Sequence, residues 1–325
     1  MALADTLAEG WYEQGRLPWW CWPLAALYGG VVRLRRLMYR HGWLRSEKLP
    51  VPVIVVGNLT AGGTGKTPLT IALAEALRAH GRRPGVVSRG YGGNRREPLL
   101  LGDQPVAAEV GDEPCLIRAS GASVAVGRDR PAAARLLLEA GCDVLLADDG
   151  LQHYRLARDM EICVIDGVRR FGNGRLLPLG PLREPLSRLR DVDFRVCNGG
   201  AAADGEVPMR LEGGIARALA GGREQPLAAW RGQRVHAVAG IGNPQRFFDS
   251  LRAQGIEVIE HSFADHHAFA PSELEFGDGL PLLMTAKDAV KCHAFARDHW
   301  WSVPVRAVLP EAFFDALLGC IDDAG

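Results

Sequence analysis

The feature that most constrains this chain is a glycine-rich turn caught between a strand pattern and a helix pattern. Val51 to Val56 (VPVIVV) is a short β-branched apolar run, suited to a buried parallel strand. It opens into Gly57-Asn58-Leu59-Thr60-Ala61-Gly62-Gly63-Thr64-Gly65-Lys66-Thr67-Pro68, and Leu69 to His80 (LTIALAEALRAH) then has helical spacing up to a stop at Gly81. Strand, glycine-rich loop, GKT and helix is the phosphate-binding loop in its required context. Backbone N–H groups of such a turn surround a β-phosphate, the lysine reaches the γ-phosphate, and the hydroxyl after it ligates Mg²⁺. Thr60, Ala61, Gly62, Gly63, Thr64, Gly65, Lys66 and Thr67 are therefore expected to hold ATP, with Thr67 also on Mg²⁺. The strict pattern has Gly at position 60, where this chain has Thr.

A nucleotide loop of this kind needs acids beyond it. Cys142 to Ala147 is an apolar run that ends in Asp148-Asp149-Gly150-Leu151-Gln152-His153. Adjacent carboxylates at the carboxyl end of a strand are costly without a cation, so Asp148 and Asp149 are expected at the metal. Val110-Gly111-Asp112-Glu113-Pro114 reads as a turn presenting acids, and nothing intrinsic to it is catalytic. Phe263-Ala264-Asp265-His266-His267-Ala268-Phe269 sets two histidines among aromatic residues. Adjacent histidines do not supply the spaced ligands of a zinc site. From spacing alone, proton transfer and a satisfied structural role stand level for these rings.

Before this core, Leu17 to Val32 (LPWWCWPLAALYGGVV) carries no formal charge, and Arg33, Arg35, Arg36, Arg40, Arg45 and Lys48 follow against the single acid Glu47. Spanning a bilayer takes about 20 apolar residues, so the run is marginal for that. Acids at Asp5, Glu9 and Glu13 precede it, and no small-residue cleavage site follows, unlike a signal peptide. Trp and Tyr beside a basic cluster suit a membrane interface, reached by insertion or by lying flat; a helix packed on the core is the alternative. Lys+Arg and Asp+Glu are both 38, so the formal net charge is zero, which argues against a bulk nucleic-acid binder. Seven scattered cysteines without a CxxC pair read as reduced thiols, not as a disulfide framework.

Together, VGNLTAGGTGKTP, SRGYGG (88–93), VGDEP (110–114), DDGLQH (148–153), GPLREP (180–185), DHH (265–267) and TAKDAVK (285–291) resemble the tetraacyldisaccharide 4'-kinase family of lipid A biosynthesis, in order and over nearly the whole chain. The resemblance implies transfer of the ATP γ-phosphate to the 4'-hydroxyl of a tetraacylated glucosamine disaccharide 1-phosphate, giving lipid IVA. It also implies Mg²⁺ and a place on the cytoplasmic face of the inner membrane of a Gram-negative bacterium, among its lipids. Thr60 matches the family's own loop. Asp112 resembles the family's catalytic base, working with His266; Arg183 is expected to face phosphate charge and Glu184 to hold an orientation. Arg89, Gln152 and His153 are weaker candidates at the same site. Ala286 departs from the pattern, where Glu is expected.

The remaining chain alternates strand-like and helical pieces, including strands at 83–88, 124–126, 235–239, 255–259 and 282–285 and helices at 131–140, 244–254 and 287–297. That alternation predicts an α/β fold, a P-loop NTPase-like, mostly parallel sheet with a second, smaller α/β lobe and an N-terminal membrane-associated helix. The expected division is 1–48 for the N-terminal segment, 49–212 for the nucleotide-binding core and 213–325 for the smaller lobe. Two other functions fit a membrane-associated P-loop: a nucleotide switch or insertion ATPase, and a binding module without chemistry. A base for a sugar hydroxyl has no use in either.

Overall fold

The computed structural model describes residue 7, residues 10–13 and residues 17–324. Asp5 and Glu9, part of the acidic stretch before the apolar run, lie outside the described residues. Two sheets organise the rest. The first holds nine strands in the order β15-β8-β7-β6-β1-β5-β2-β4-β3. Its centre is β1 (Val53–Gly57), flanked in parallel by β5 (Val144–Asp148) and β6 (Met160–Asp166). β2 (Pro84–Ser88) and β4 (Ser123–Val126) continue the parallel set on one side, and β7 (Phe194–Asn198) and β8 (Val207–Glu212) on the other. Only the edge strands β3 (Leu99–Leu100) and β15 (Arg306–Val308) run antiparallel.

These central strands are buried along their whole length because helices cover both faces of the sheet. On one face, Ile54, Val56, Val86 and Leu146 meet Leu69, Leu73 and Leu77 of the helix after the glycine loop. On the other, Val55, Val87, Leu145 and Ala147 meet Ala133, Ala134 and Leu137. The helix carrying those three spans Arg130–Glu139, where 131–140 was expected, and Asp129 caps it by accepting from the Ala132 N–H.

The second sheet has six strands in the order β10-β9-β14-β13-β11-β12. Its parallel core is β11 (Arg234–Ala239), β12 (Glu257–Ser262), β13 (Leu282–Thr285) and β14 (Trp300–Val303), with β9 (Ile215–Ala218) and β10 (Glu224–Pro226) antiparallel at one edge. The chain does not end in this lobe. β15 returns to pair with β8, and the helix Glu311–Ala324 lays Phe313, Leu317, Leu318 and Ile321 on the first lobe's core. That face of the first sheet would otherwise be open, which is why the last residues of the expected 213–325 segment sit with the nucleotide-binding core.

Near the amino terminus, helix α1 (Cys21–Arg40) touches the body through a narrow strip. Cys21 and Ala25 pack on Leu179, and Gly29 faces Leu176. Leu24, Leu27, Val31 and Leu34 point outward. No helix among the described residues is long and apolar enough to cross a membrane, because Arg33, Arg35 and Arg36 interrupt the apolar run within α1. All seven cysteines are free and six are buried.

Candidate active site

Helix α2 (Lys66–Ala79) begins directly on the glycine loop. Its first residue is preceded by Gly65 at φ 92°, a left-handed conformation that a side chain rarely adopts, so the turn into the helix depends on glycine there. The loop's free N–H groups and the positive end of the helix dipole converge at this point, which suits an anion. An unliganded loop lysine is usually partly exposed; Lys66 is buried, with Nζ 3.6 Å from Asp149 Oδ1.

Asp149 is a point where several charges meet. Arg183 Nη1 donates to both of its carboxylate oxygens at 3.0 Å, and Arg130 Nη2 donates to its backbone carbonyl at 2.8 Å. Burial pushes the Asp149 carboxyl up, but Lys66, Arg183 and Arg130 outweigh it and hold the pKa at about 2. Asp148 behaves oppositely. Burial and the nearby Glu113 charge push it up to about 7. Thr70 Oγ1 donates to Asp148 Oδ1 at 3.1 Å, while Oδ2 is buried without a hydrogen-bond partner. An orphaned buried carboxylate oxygen on Asp148, which pairs in register with Val56 just before the glycine loop, is the kind of donor a hard cation takes, so the residues present fit Mg²⁺. Both oxygens of Asp149, the more exposed of the two acids, are already taken by Arg183.

The GPLREP segment closes one side of this site. Arg183 N donates to Leu59 O at 2.7 Å and Ala61 N to Pro181 O at 2.7 Å, so the segment runs along the glycine loop. Glu184 is buried; Tyr154 Oη donates to one of its oxygens and Gln152 Nε2 to the other at 3.2 Å. Gln152 Nε2 also reaches Asn58 O at 3.1 Å. His153 is kept neutral: burial, then the charges of Arg130 and Arg158, lower it to about 4. Arg89 is exposed and makes none of these contacts.

The second group of chemical residues spans the two lobes. Gly111 at φ 91° turns the chain into the helix Asp112–Ala119, whose first turn carries Asp112 and Glu113 where acids complement the helix dipole. His266, from the second lobe, places Nδ1 at 2.9 and 3.0 Å from the two Asp112 oxygens. It does so at φ 62°, a conformation costing a non-glycine residue about 1–2 kcal/mol and therefore held by its surroundings. The Tyr91 ring packs edge-on against it, centroids 4.9 Å apart. His267 turns away to Glu273 at 3.0 Å, so the two histidines of the motif have separate partners.

Burial raises the Asp112 carboxyl, but the hydrogen bond from His266 and the Lys287 charge more than offset it, leaving it below the usual carboxylate range. Burial lowers His266, and its bond to Asp112 more than compensates, leaving it above the ordinary imidazole value. Lys287 was not anticipated. It lies in the segment containing Ala286, half-buried, with Nζ 3.0 Å from Asp265, 3.3 Å from Glu113 and 3.4 Å from His266 Nε2. The motif TAKDAVK was visible in the sequence, but its lysine acquires meaning only when Glu113 and Asp265 are brought beside it. Arg130 and Tyr154 were missed for the same reason.

Against known proteins, the model of the LpxK family, tetraacyldisaccharide-1-P 4'-kinase, matches residues 17–322. A tetraacyldisaccharide 4'-kinase of Stenotrophomonas maltophilia (strain R551-3) is 58% identical over 323 residues, covering 96% of this chain and 95% of its own. One from Xanthomonas euvesicatoria pv. vesicatoria (strain 85-10) is 55% identical over 325 residues, covering 95% and 93%. Among solved structures, LpxK of Aquifex aeolicus, described as an "apo" form in complex with ATP, is similar with a TM-score of 0.76 at 29% identity, covering 92% of this chain and 98% of that one.

Proposed function

The chain belongs to the tetraacyldisaccharide 4'-kinase family of lipid A biosynthesis, and from that premise we propose that it moves the ATP γ-phosphate to the 4'-hydroxyl of a tetraacylated glucosamine disaccharide 1-phosphate, giving lipid IVA. The observation that carries this reading is the Asp112–His266 pair. A carboxylate kept ionised and oriented by an imidazole 2.9 Å away is what deprotonating a sugar hydroxyl requires, and a nucleotide switch has no use for it.

Phosphoryl transfer is mainly positioning and charge neutralisation. The backbone N–H groups of residues 60–67 receive the phosphates, and Lys66 leaves Asp149 to bridge to the γ-phosphate. Arg183 adds positive charge on the same side, while Glu184, held by Tyr154 and Gln152, fixes the segment that carries it. Mg²⁺, when bound, supplies further neutralisation of the phosphate oxygens; Thr67 and Asp148 would hold it. Asp112 accepts the 4'-hydroxyl proton as the oxygen attacks phosphorus, and His266 keeps that carboxylate aimed through Nδ1–H.

The acyl chains call for a lipid surface. Helix α1 supports this, since Tyr28 Oη donates to Arg183 O at 2.9 Å and the Tyr39 ring packs at a tilt against Tyr154, 5.6 Å between centroids. Helix α1, which carries the outward apolar face and the arginines, thus adjoins the segment bearing Arg183 and Glu184. A helix lying in the cytoplasmic interface of the inner membrane would bring the lipid headgroup to this side.

Measuring ADP release with and without the acylated disaccharide tests the reading. Release that depends on the lipid and disappears in Asp112→Asn is expected. Equal release without lipid would contradict the kinase reading and favour a nucleotide-driven switch.

A further inference from the structure

We propose that Arg246, a second-lobe residue outside the phosphate loop, positions the loop's Thr64–Gly65 peptide through Asn198. Asn198 ends β7 and is buried beneath the loop; its Nδ2 donates to Thr64 O at 2.9 Å, and its Oδ1 accepts from Arg246 Nη2 at 2.8 Å. A carboxamide can turn over and exchange its donor and acceptor. Arg246 removes that freedom, because a guanidinium only donates. With Oδ1 committed to Arg246, Nδ2 is left facing Thr64.

The consequence falls on the next N–H. In a trans peptide the C=O and the following N–H point in opposite directions. Fastening Thr64 O to Asn198 therefore aims the Gly65 N–H away from Asn198, toward the face of the loop left open for phosphate. A Cβ at position 65 would run into Asn198 Nδ2, so the carboxamide is packed directly against this peptide.

Arg246 stands in the helix Pro244–Ala253, whose preceding loop also meets the glycine turn: a Cβ at Gly242 would lie 2.8 Å from Gly63 N. Across the same junction, Arg169 Nη1 donates to Gly242 O at 3.0 Å. Among the described residues no carboxylate lies within ion-pair distance of Arg246, so its hydrogen bond to Asn198 is its polar anchor here. The phosphate loop is thus braced by the second lobe, and ATP affinity depends on a residue that need not touch ATP.

This inference rests on the reading of residues 60–67 as the nucleotide site. Its test is calorimetric titration of ATP into the full chain and its variants, with melting temperatures measured alongside. Arg246→Ala should weaken ATP binding about tenfold at an unchanged melting temperature, the effect expected for losing one charged hydrogen bond at second hand. Arg246→Lys, which keeps a donor for Oδ1, should recover much of the affinity. Asn198→Asp pairs with Arg246 but offers Thr64 no donor, and should lose as much as Arg246→Ala; the double variant Arg246→Ala/Asn198→Ala, which leaves no carboxylate unpaired, should be no worse than the poorer of its two singles. If Asn198→Asp does not fold, the Ala and Lys variants at 246 decide alone. Unaltered affinity in Arg246→Ala, or losses that multiply in the double variant, would overturn the inference while leaving the loop as the ATP site. Failure of the unaltered chain to bind ATP would overturn both.

Discussion

Asp112 and His266 lie 154 positions apart in sequence and meet as a hydrogen-bonded pair. Their opposed pKa shifts give the pair a pH window. Asp112 is depressed below its ordinary 3.8, so its contribution to stability is present above that value and is lost as pH falls through the folded pKa. His266 is raised above its ordinary 6.5, so its contribution is full below that value and is lost as pH rises through the folded pKa. Between those limits the pair is tightest. The melting-temperature advantage of the native chain over His266→Asn should therefore be largest near pH 5–6 and fade at alkaline pH; an advantage growing toward alkaline pH would contradict the assignment. In kinetics, Asp112→Asn should lower kcat by about 10²- to 10⁴-fold with little change in ATP affinity. The Asp112→Asn/His266→Asn double variant should cost scarcely more than the worse single, as for groups acting together. Asp112 and His266 could be named in the sequence only through family resemblance, since neither a GDEP turn nor an adjacent histidine pair has intrinsic chemistry. Lys287 and Arg246 were beyond reach in any local pattern, because each acts on residues supplied by a distant segment.

Elements with a strong local signature were legible. The helix expected at 244–254 spans Pro244–Ala253, and the strand expected at 282–285 spans Leu282–Thr285. The helix expected at 287–297 ends sooner, at Cys292, and a short 3₁₀ turn, His293–Phe295, follows it. Lateral strand order was not legible: parallel strands buried on both faces, such as VIVVG, VLLAD and MEICVID, present interchangeable apolar runs. Helix α1 was readable as apolar and basic, but which of its sides meets the body became clear only from Cys21, Ala25 and Gly29. That division supplies a test which spares the packing. Leu27 and Val31 are 66% and 56% exposed, so Leu27→Asp/Val31→Asp should cut cosedimentation with anionic vesicles at an unchanged melting temperature. Undiminished cosedimentation would move the membrane contact away from this face.

For the molecule as a whole, the return of the chain after the second sheet matters more than any single boundary. We propose that the nucleotide-binding lobe comprises residues 49–212 with 306–324, and that the smaller lobe comprises 213–305. Phe313 is buried and meets Phe194 edge-on at 5.3 Å between centroids. Phe313→Ala should destabilise the first lobe by about 3–5 kcal/mol, read as a lower denaturation midpoint. A midpoint unchanged from the native chain would contradict this division. Two lobes joined in this way bring Asp112 of one and His266 of the other together as one hydrogen-bonded pair, and the account depends on that pair serving a site that makes a phosphate ester at one position. The direct measurement is incubation with γ-labelled ATP and tetraacyldisaccharide 1-phosphate, followed by isolation of the lipid and location of the label. The account predicts label on the 4'-oxygen with the native chain and, over the same time, far less with Lys66→Ala or Asp112→Asn. Label that stays as free phosphate, or lipid labelled equally by Asp112→Asn, would contradict it.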